Sequence, residues 1–290
     1  MSLRPDKRIW ILLSVLVAVG VARAEERAVE EATEEVVKPH PPVWVDGWAS
    51  FWFGNGYLSS SGNLSDTEPV AEQDVLLNLR TRDYGWLSFE SWMKQDLHDK
   101  QNASHRRYFY IYEGLLTYGY AYAFTDDLKL VTDAGGVWDW LIAYKSDAPD
   151  EWYWIVRQSL ENPYVTPYWN ALGGISPYGW ARVRAGLQHA FRLTETLTVS
   201  PMCEFVWASD GLYDMRYAGE PDLGFLGGGL LSCWAGFRFN WRFYGGWSIW
   251  GRFREFVLLD PVARESVGRS EAYNARVDYP MVNLGLAYSF

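Results

Sequence analysis

The residues most capable of catalysis lie in one short polar segment of the chain. His98 and His105 lie there with Ser104, Asp96 and Asp99. A serine, a histidine and a carboxylate are the residue types of an activated nucleophile. The segment is a predicted loop without a rigid strand setting, and its spacing fixes no third metal ligand. The sequence therefore predicts no enzyme, cofactor or metal site, and a loop-sited hydrolase remains a weaker alternative.

A larger set of chemically capable residues is charged and alternates with apolar residues. Arg182 and Arg184, for example, alternate with Val183, Ala185 and Leu187. A period of two sends neighbouring side chains to opposite faces of a strand. The same alternation assigns fourteen charged side chains to one face: Arg80, Glu90, Lys94, Glu113, Lys129, Asp133, Asp139, Arg157, Arg182, Arg184, Glu204, Arg238, Arg252 and Arg254.

The elements that position these charges are predicted strands. Residue 43 starts a series of strand-like runs separated by turn signals. The series predicts twelve strands near 43–54, 73–82, 85–97, 107–124, 127–143, 151–160, 164–172, 178–193, 196–209, 229–242, 246–258 and 278–290. Pro167 is unfavourable in an interior strand. If the segment around it is an inserted loop, the number of strands falls to ten.

The links between these strands alternate in length. Those after even-numbered strands are two or three residues long, whereas most after odd-numbered strands are longer and rich in Gly, Ser, Asp and Pro. This alternation is typical of an outer-membrane barrel, with short periplasmic turns and longer outer loops. A soluble sandwich with Greek-key links would not show it. The predicted fold class is therefore all-β, a transmembrane antiparallel up-and-down β-barrel over residues 43–290.

In such a barrel the charged face must point inward, because an Arg or Lys facing lipid at mid-depth costs about 2–4 kcal/mol. Nine of the fourteen charges are positive and five are negative. Arginine–carboxylate pairs could fill a closed interior, or the wall could border a wet pore that attracts anions. Arg238 can approach Arg252 or Arg254, and like charges that close should border water or an anion. The sequence favours the pore, with an anion preference that weakens when Arg252 and Arg254 become Gln.

Composition agrees with a membrane barrel. Aromatic residues make up 17% of the chain, with 17 Trp and 19 Tyr. Trp and Tyr favour membrane interfaces, where barrels carry them in two girdles. A net charge of −10 argues against nucleic acid as a partner. Cys203 and Cys233 fall on the outward face, and we expect them to be unpaired.

The start of the chain has the pattern of a secretory signal over residues 1–24. Arg4, Lys7 and Arg8 precede an apolar run, and the small residues Ala22 and Ala24 frame a cleavage site. We expect a cleaved signal helix rather than an uncleaved anchor, since the run is shorter than the ~20 residues of a spanning helix. Residues 25–42 are rich in Glu and predicted to be a disordered acidic leader. N-terminal sequencing of the mature protein would test cleavage after Ala24.

The last eight residues alternate between large apolar side chains and small or polar ones. They resemble the C-terminal strand of bacterial outer-membrane β-barrels, in which a polar residue, a glycine and two aromatics hold fixed places. Asn283, Gly285, Tyr288 and Phe290 fill those places. The resemblance implies recognition by the barrel-assembly machinery and closure of the barrel in outer-membrane lipid. An ordinary soluble domain that ends on a strand is the alternative.

Three further segments resemble the TorF-like porins. These are the first loop with Tyr57 and a following Pro69-Val70, the turn at Tyr84-Gly85 before a Trp-containing strand, and the turn at Pro163. The Arg-Gly of that family's first loop is missing here. The resemblance implies a barrel and a channel. We therefore predict passive diffusion of small polar or anionic solutes, with a closed structural barrel whose outer loops bind a partner or glycan as the alternative.

Overall fold

The computed structural model describes residues 42–55, 57–58, 64–66, 69–97, 110–141, 151–176, 179–211, 228–269 and 278–290. The predicted signal peptide and nearly all of the acidic leader lie outside these residues. The described part forms one compact unit, Pro42–Phe290.

Twelve long strands form one closed antiparallel sheet. They are β1 (Val43–Gly54), β2 (Val70–Thr81), β3 (Gly85–Asp96), β4 (Tyr110–Thr125), β5 (Leu128–Leu141), β6 (Glu151–Glu161), β7 (Thr166–Ser176), β8 (Ala181–Gln188), β9 (Leu197–Ala208), β10 (Gly229–Tyr244), β11 (Trp247–Leu258) and β12 (Asp278–Ser289). Phe191–Arg192 continues the pairing of β8 with β9 after a short irregularity. The predicted number of twelve is confirmed and the alternative of ten is wrong. Pro167 is accommodated as the second residue of β7, close to the strand end.

Each strand pairs with the next one, and β12 returns to pair with β1. Residues 48–54 of β1 pair with residues 283–289 of β12. Gly47 and Phe290 also exchange two backbone hydrogen bonds of 3.1 Å. Closure matters because an open sheet edge would leave unsatisfied backbone groups, which lipid cannot hydrogen-bond.

The links alternate in length as predicted. Short turns at 82–84, 126–127, 162–165, 193–196 and 245–246 lie at one end of the barrel, which also holds the start of β1 and the end of β12. Gly85 and Gly245 adopt positive φ angles of 79° and 51° there, a conformation that glycine adopts without strain. The other links lie at the opposite end, which we call the outer end, and all of them except 177–180 are longer.

The outside of the barrel is apolar along its whole height. Outward side chains include Phe51, Phe53, Leu77, Tyr118, Tyr120, Tyr122, Leu187, Phe205, Phe237, Leu284 and Leu286, all exposed in the isolated chain. Aromatic rings also lie near both ends, such as Trp247 and Tyr288 at the short-turn end and Trp152 and Trp207 at the outer end. Apolar area of this extent requires a nonpolar surrounding. The barrel therefore has the surface of a membrane-spanning protein. Cys203 and Cys233 are free thiols, as expected.

The link between β11 and β12 contains a helix, α1 (Pro261–Arg269). Asp260 caps it, because its Oδ1 accepts hydrogen bonds from the backbone N–H groups of Val262 at 3.0 Å and Ala263 at 2.8 Å. Pro261 occupies the first helical position, where its missing N–H costs nothing. This helix was not among the elements predicted from the sequence, although an acidic cap followed by proline is a helix-start signal. None of the helices in the described segments is long and apolar enough to cross a membrane.

Candidate functional site in the barrel interior

The barrel encloses a cavity of about 710 Å³ lined by both charged and aromatic side chains. Its charged lining falls into two groups. The acidic arc comprises four carboxylates on β2, β3 and β4, namely Glu72, Asp74, Glu90 and Glu113. The arginine arc comprises five guanidinium groups on β8, β10 and β11, namely Arg182, Arg184, Arg238, Arg252 and Arg254. In the ring of twelve strands, β2 is three strands from β11 and β4 is four strands from β8, so the two arcs lie on separate parts of the cavity wall.

One arginine outside the arginine arc is paired with two carboxylates. Arg157 on β6 contacts Asp133 of β5 at 2.6 Å and Glu90 of β3 at 3.1 Å. Asp133 is a register neighbour of Arg157, whereas Glu90 lies beyond the intervening strand β4. The long arginine side chain therefore ties three strands together through charge-assisted hydrogen bonds, which are stronger than neutral ones.

Replacing Arg157 with Gln is expected to lower the free energy of unfolding by about 1–3 kcal/mol. Removing one partner of a buried pair usually costs about 3–5 kcal/mol, but the Arg157 side chain is 34% exposed, so solvent screens part of the effect. Urea unfolding followed by tryptophan fluorescence would measure the change. Lys129→Gln is the matched control, because Lys129 is exposed at the short-turn end and should shift stability by less than ~0.5 kcal/mol. Equal stability of the two variants would contradict this role for Arg157.

One carboxylate, Glu204 on β9, lies among the arginines of the arginine arc. Its Oε1 contacts Nε of Arg184 at 3.4 Å and accepts a hydrogen bond from Trp234 Nε1 at 2.9 Å. Its Oε2 accepts a hydrogen bond from the Tyr168 hydroxyl at 3.2 Å. Glu204 is almost fully buried. These partners satisfy both oxygens, so Glu204 is a fixed part of the wall.

The remaining arginines of the arc have aromatic neighbours or incomplete hydrogen bonding. The guanidinium of Arg254 lies 5.3 Å from the ring centre of Trp234, and that of Arg252 lies 5.6 Å from Trp250. Such cation–π contacts contribute about 0.5–2 kcal/mol. Four guanidinium nitrogens have no hydrogen-bond partner among the described residues: Nε of Arg252, Nε of Arg254, and Nε and Nη1 of Arg182. Buried donors of this kind are costly unless water or a solute reaches them.

Of the other predicted lumen residues, Arg80 and Lys129 lie near the short-turn end, whereas Lys94 is the register neighbour of Glu72 and within electrostatic range of it. Arg80 pairs with Asp46 near the short-turn end, where Asn78 also donates to Asp46 at 2.7 Å. Lys129 is exposed at the same end. Lys94 is buried near the outer end of β3. The side chain of Asp139 lies outside the described residues.

Three inward carboxylates were missed by the sequence analysis. They are Asp46 on β1 and Glu72 and Asp74 on β2. The predicted second strand began at residue 73, which left Glu72 in a loop. Continuing the alternation of Arg80 and Asn78 back along the chain would have placed both Glu72 and Asp74 on the inward face. Their presence makes the cavity wall more evenly charged than the sequence analysis expected.

The outer end of the interior is filled by apolar side chains. Ala263 of α1 is completely buried in this apolar plug, which also contains Leu115, Val137, Tyr153, Ile155, Leu172, Trp180, Val206, Ala208, Leu231, Trp234, Phe256, Leu258 and Met281. The cavity lining reaches Glu72, Arg182 and Arg254 on its outer side. At the short-turn end the lining consists largely of small residues such as Ala190, Ser248, Ala287 and Ser289. The interior is therefore roomy at the short-turn end, charged at mid-depth and apolar at the outer end.

The four residues of the terminal-strand motif occupy three settings. Asn283 is buried with no partner for either side-chain polar atom among the described residues. Gly285 lies between Trp52 of β1 and Trp250 of β11 in the register of the sheet. Tyr288 and Phe290 point outward at the short-turn end, where Tyr288 lies 5.0 Å from Trp247 between ring centres.

The candidate catalytic residues of the second outer link lie largely outside the described residues. His98, Asp99, Ser104 and His105 belong to the gap between β3 and β4. Asp96 is the last residue of β3, and its side chain is not described. The hydrolase alternative therefore stays untested.

No protein-family model matches the chain, and no curated protein matches it. Solved structures of three outer-membrane proteins are similar in fold. The COG4313 outer membrane channel from Pseudomonas putida F1 has a TM-score of 0.49 and 9% identity, over 90% of this chain and all of that one. The KdgM porin has a TM-score of 0.46 and 8% identity, over 84% and 99%. The translocator domain of the autotransporter NalP from Neisseria meningitidis has a TM-score of 0.42 and 12% identity, over 94% and 98%. The identities and TM-scores are too low for these similarities to indicate which activity this barrel has.

Proposed function

We propose that this barrel is a porin-like outer-membrane channel for passive diffusion of small polar solutes, anionic ones included. The observation that carries the proposal is the charged cavity of about 710 Å³ inside a closed barrel. A purely structural barrel would be expected to pair its interior charges, because unpaired buried charge destabilises a fold. Arginines with free donors at mid-depth instead support a wall that contacts water and solute.

We propose that the apolar plug at the outer end makes this a gated channel. Helix α1 contributes Ala263 to the plug and Val262 against it, and both belong to the link between β11 and β12. Links of this kind are the most mobile parts of a barrel. We propose that conduction occurs when α1 withdraws from the plug. The same plug favours the second candidate function, a closed structural barrel whose outer links bind a partner.

Single-channel recording in a planar bilayer tests the proposal. We expect the intact protein to show infrequent openings with a weak anion preference under a salt gradient. The preference should be weak because Glu72 and Asp74 offset part of the arginine arc, and it should fall further in Arg252→Gln/Arg254→Gln. A barrel that inserts correctly but never conducts, even when α1 is displaced, would support the closed structural alternative instead.

The proposal also includes the family of the protein and the signal by which the barrel is assembled. The segments around Tyr57, Tyr84 and Pro163 support membership of the TorF-like porins, which would agree with a channel. The terminal motif from Asn283 to Phe290 supports recognition by the outer-membrane barrel-assembly machinery. Transplanting residues 283–290 onto a barrel that lacks its own terminal strand, and measuring its insertion in cells, would test that recognition.

A further inference from the structure

We propose that the two arcs form a binding site for a zwitterionic solute, such as an amino acid or a short peptide. The proposal rests on the channel function proposed above and names the solute class that the cavity favours. The carboxylate of the solute would contact the arginine arc, and its ammonium group would contact the acidic arc.

The first support is the separation of charge across the cavity. Glu72 and Asp74 lie on β2, whereas Arg252 and Arg254 lie on β11 and Arg182 lies on β8. Glu72 is within electrostatic range of Arg252 and Arg254, and Glu113 is within range of Arg182. No ion pair joins the acidic arc to the arginine arc among the residues that the structure describes. The two arcs therefore line one cavity, and their charges act on each other across it.

The second support is the set of buried polar atoms without partners on both walls. Glu72, Arg182 and Arg254 are each more than nine-tenths buried. Oε1 of Glu72 and Oδ1 of Asp74 have no hydrogen-bond partner on the acidic side, and Nε of Arg182 and Arg254 have none on the basic side. A carboxylate could satisfy the guanidinium donors through charge-assisted hydrogen bonds, and an ammonium group could satisfy the carboxylate oxygens.

The third support is that each arc attracts one sign of charge and repels the other, so a simple ion is repelled by one of the two arcs. An anion would gain from the arginine arc but be repelled by the acidic arc, and a cation would experience the reverse. A zwitterion gains on both sides and carries no net charge into the low-dielectric part of the barrel. The opposed arcs therefore favour zwitterions over ions of either sign.

Three peptides of similar size separate these cases. Alanyl-alanine is a zwitterion, N-acetyl-alanyl-alanine is an anion and alanyl-alanine amide is a cation. Binding to the detergent-solubilised full barrel is measured by calorimetry, and permeation is measured by swelling of proteoliposomes. We expect alanyl-alanine to bind at least fivefold more tightly than either of the other two peptides, and to permeate faster.

Two variants assign the ends of the peptide to the arcs. Arg252→Gln/Arg254→Gln should weaken binding of the zwitterion and the anion while leaving the cation unchanged or bound more tightly. Glu72→Gln/Asp74→Asn should weaken binding of the zwitterion and the cation while leaving the anion unchanged or bound more tightly. The matched controls are Lys129→Gln, which removes one positive charge, and Glu161→Gln, which removes one negative charge. Both residues lie at the short-turn end, away from the cavity lining, so these variants should leave the order of affinities unchanged.

The readouts separate this proposal from the channel function. Permeation without any preference for the zwitterion in either assay would overturn the zwitterion site and leave the channel standing. Selective binding without permeation would support the site and count against the channel. Equal weakening of all three peptides by both arc variants would mean that the substitutions only disturb packing, and this would also overturn the site.

Discussion

Replacing Ala263 with Asp is expected to raise the open probability of the channel about tenfold. Ala263 is completely buried in the apolar plug. A carboxylate there would have no hydrogen-bond partner, at a cost of roughly 1–3 kcal/mol or more. Each ~1.4 kcal/mol that disfavours the docked helix shifts its population by about a factor of ten. Helix α1 has nine residues, and Arg264 also ties it to β11 because its Nη1 donates a hydrogen bond to the Leu258 carbonyl at 3.0 Å.

Single-channel recording measures this effect, with Pro261→Asp as the matched control. Pro261 is exposed on the same helix, and a carboxylate at that first position even favours the helix dipole. The control should therefore conduct like the intact protein. Unchanged gating in a correctly folded Ala263→Asp barrel would mean that α1 does not close the channel.

Replacing Gly285 with Leu is expected to abolish the closed barrel. A Cβ atom at this position would clash with Trp52 and would lie 2.7 Å from the backbone oxygen of Phe51. The rings of Trp52 and Trp250 also meet here, with centres 5.5 Å apart. No rotamer of leucine can avoid contacts that already begin at Cβ. Overpacking usually costs about 1–3 kcal/mol, and it should cost more here because part of the clash is with backbone at the seam of the barrel.

The heat-modifiable mobility of a folded barrel on a gel would reveal this loss. Ala287→Leu is the matched control, since Ala287 faces the same side two residues further along β12 and lines the roomy end of the cavity. Refolding into lipid vesicles without any assembly machinery separates the two roles of Gly285. Failure in vesicles as well as in cells indicates a packing requirement, whereas failure in cells alone indicates a recognition signal. Normal folding of Gly285→Leu in both settings would contradict both roles.

Local sequence patterns predicted the strands and the two faces of the wall, and left their number at twelve or ten. Val183 and Arg184 fall on opposite faces simply because successive residues of a strand point in opposite directions. That rule is local, so it needs no knowledge of the neighbouring strand. Glu72 was not predicted to face inward because the predicted second strand began at residue 73, after it. Helix α1 was not predicted, although Asp260 and Pro261 are a helix-start signal.

Which inward residues contact each other depends on how the twelve strands close into a barrel. Arg157 contacts Glu90, which is 67 residues away in the chain, and Arg184 contacts Glu204. The stagger and closure of twelve strands set these partners, and no local pattern encodes either quantity. The same is true of the apolar plug, whose members come from the strands β4 to β12 except β8, from Trp180 just before β8, and from α1. An alternating strand shows that a side chain points inward, but only the closed barrel determines whether it faces a carboxylate, an aromatic ring or open space.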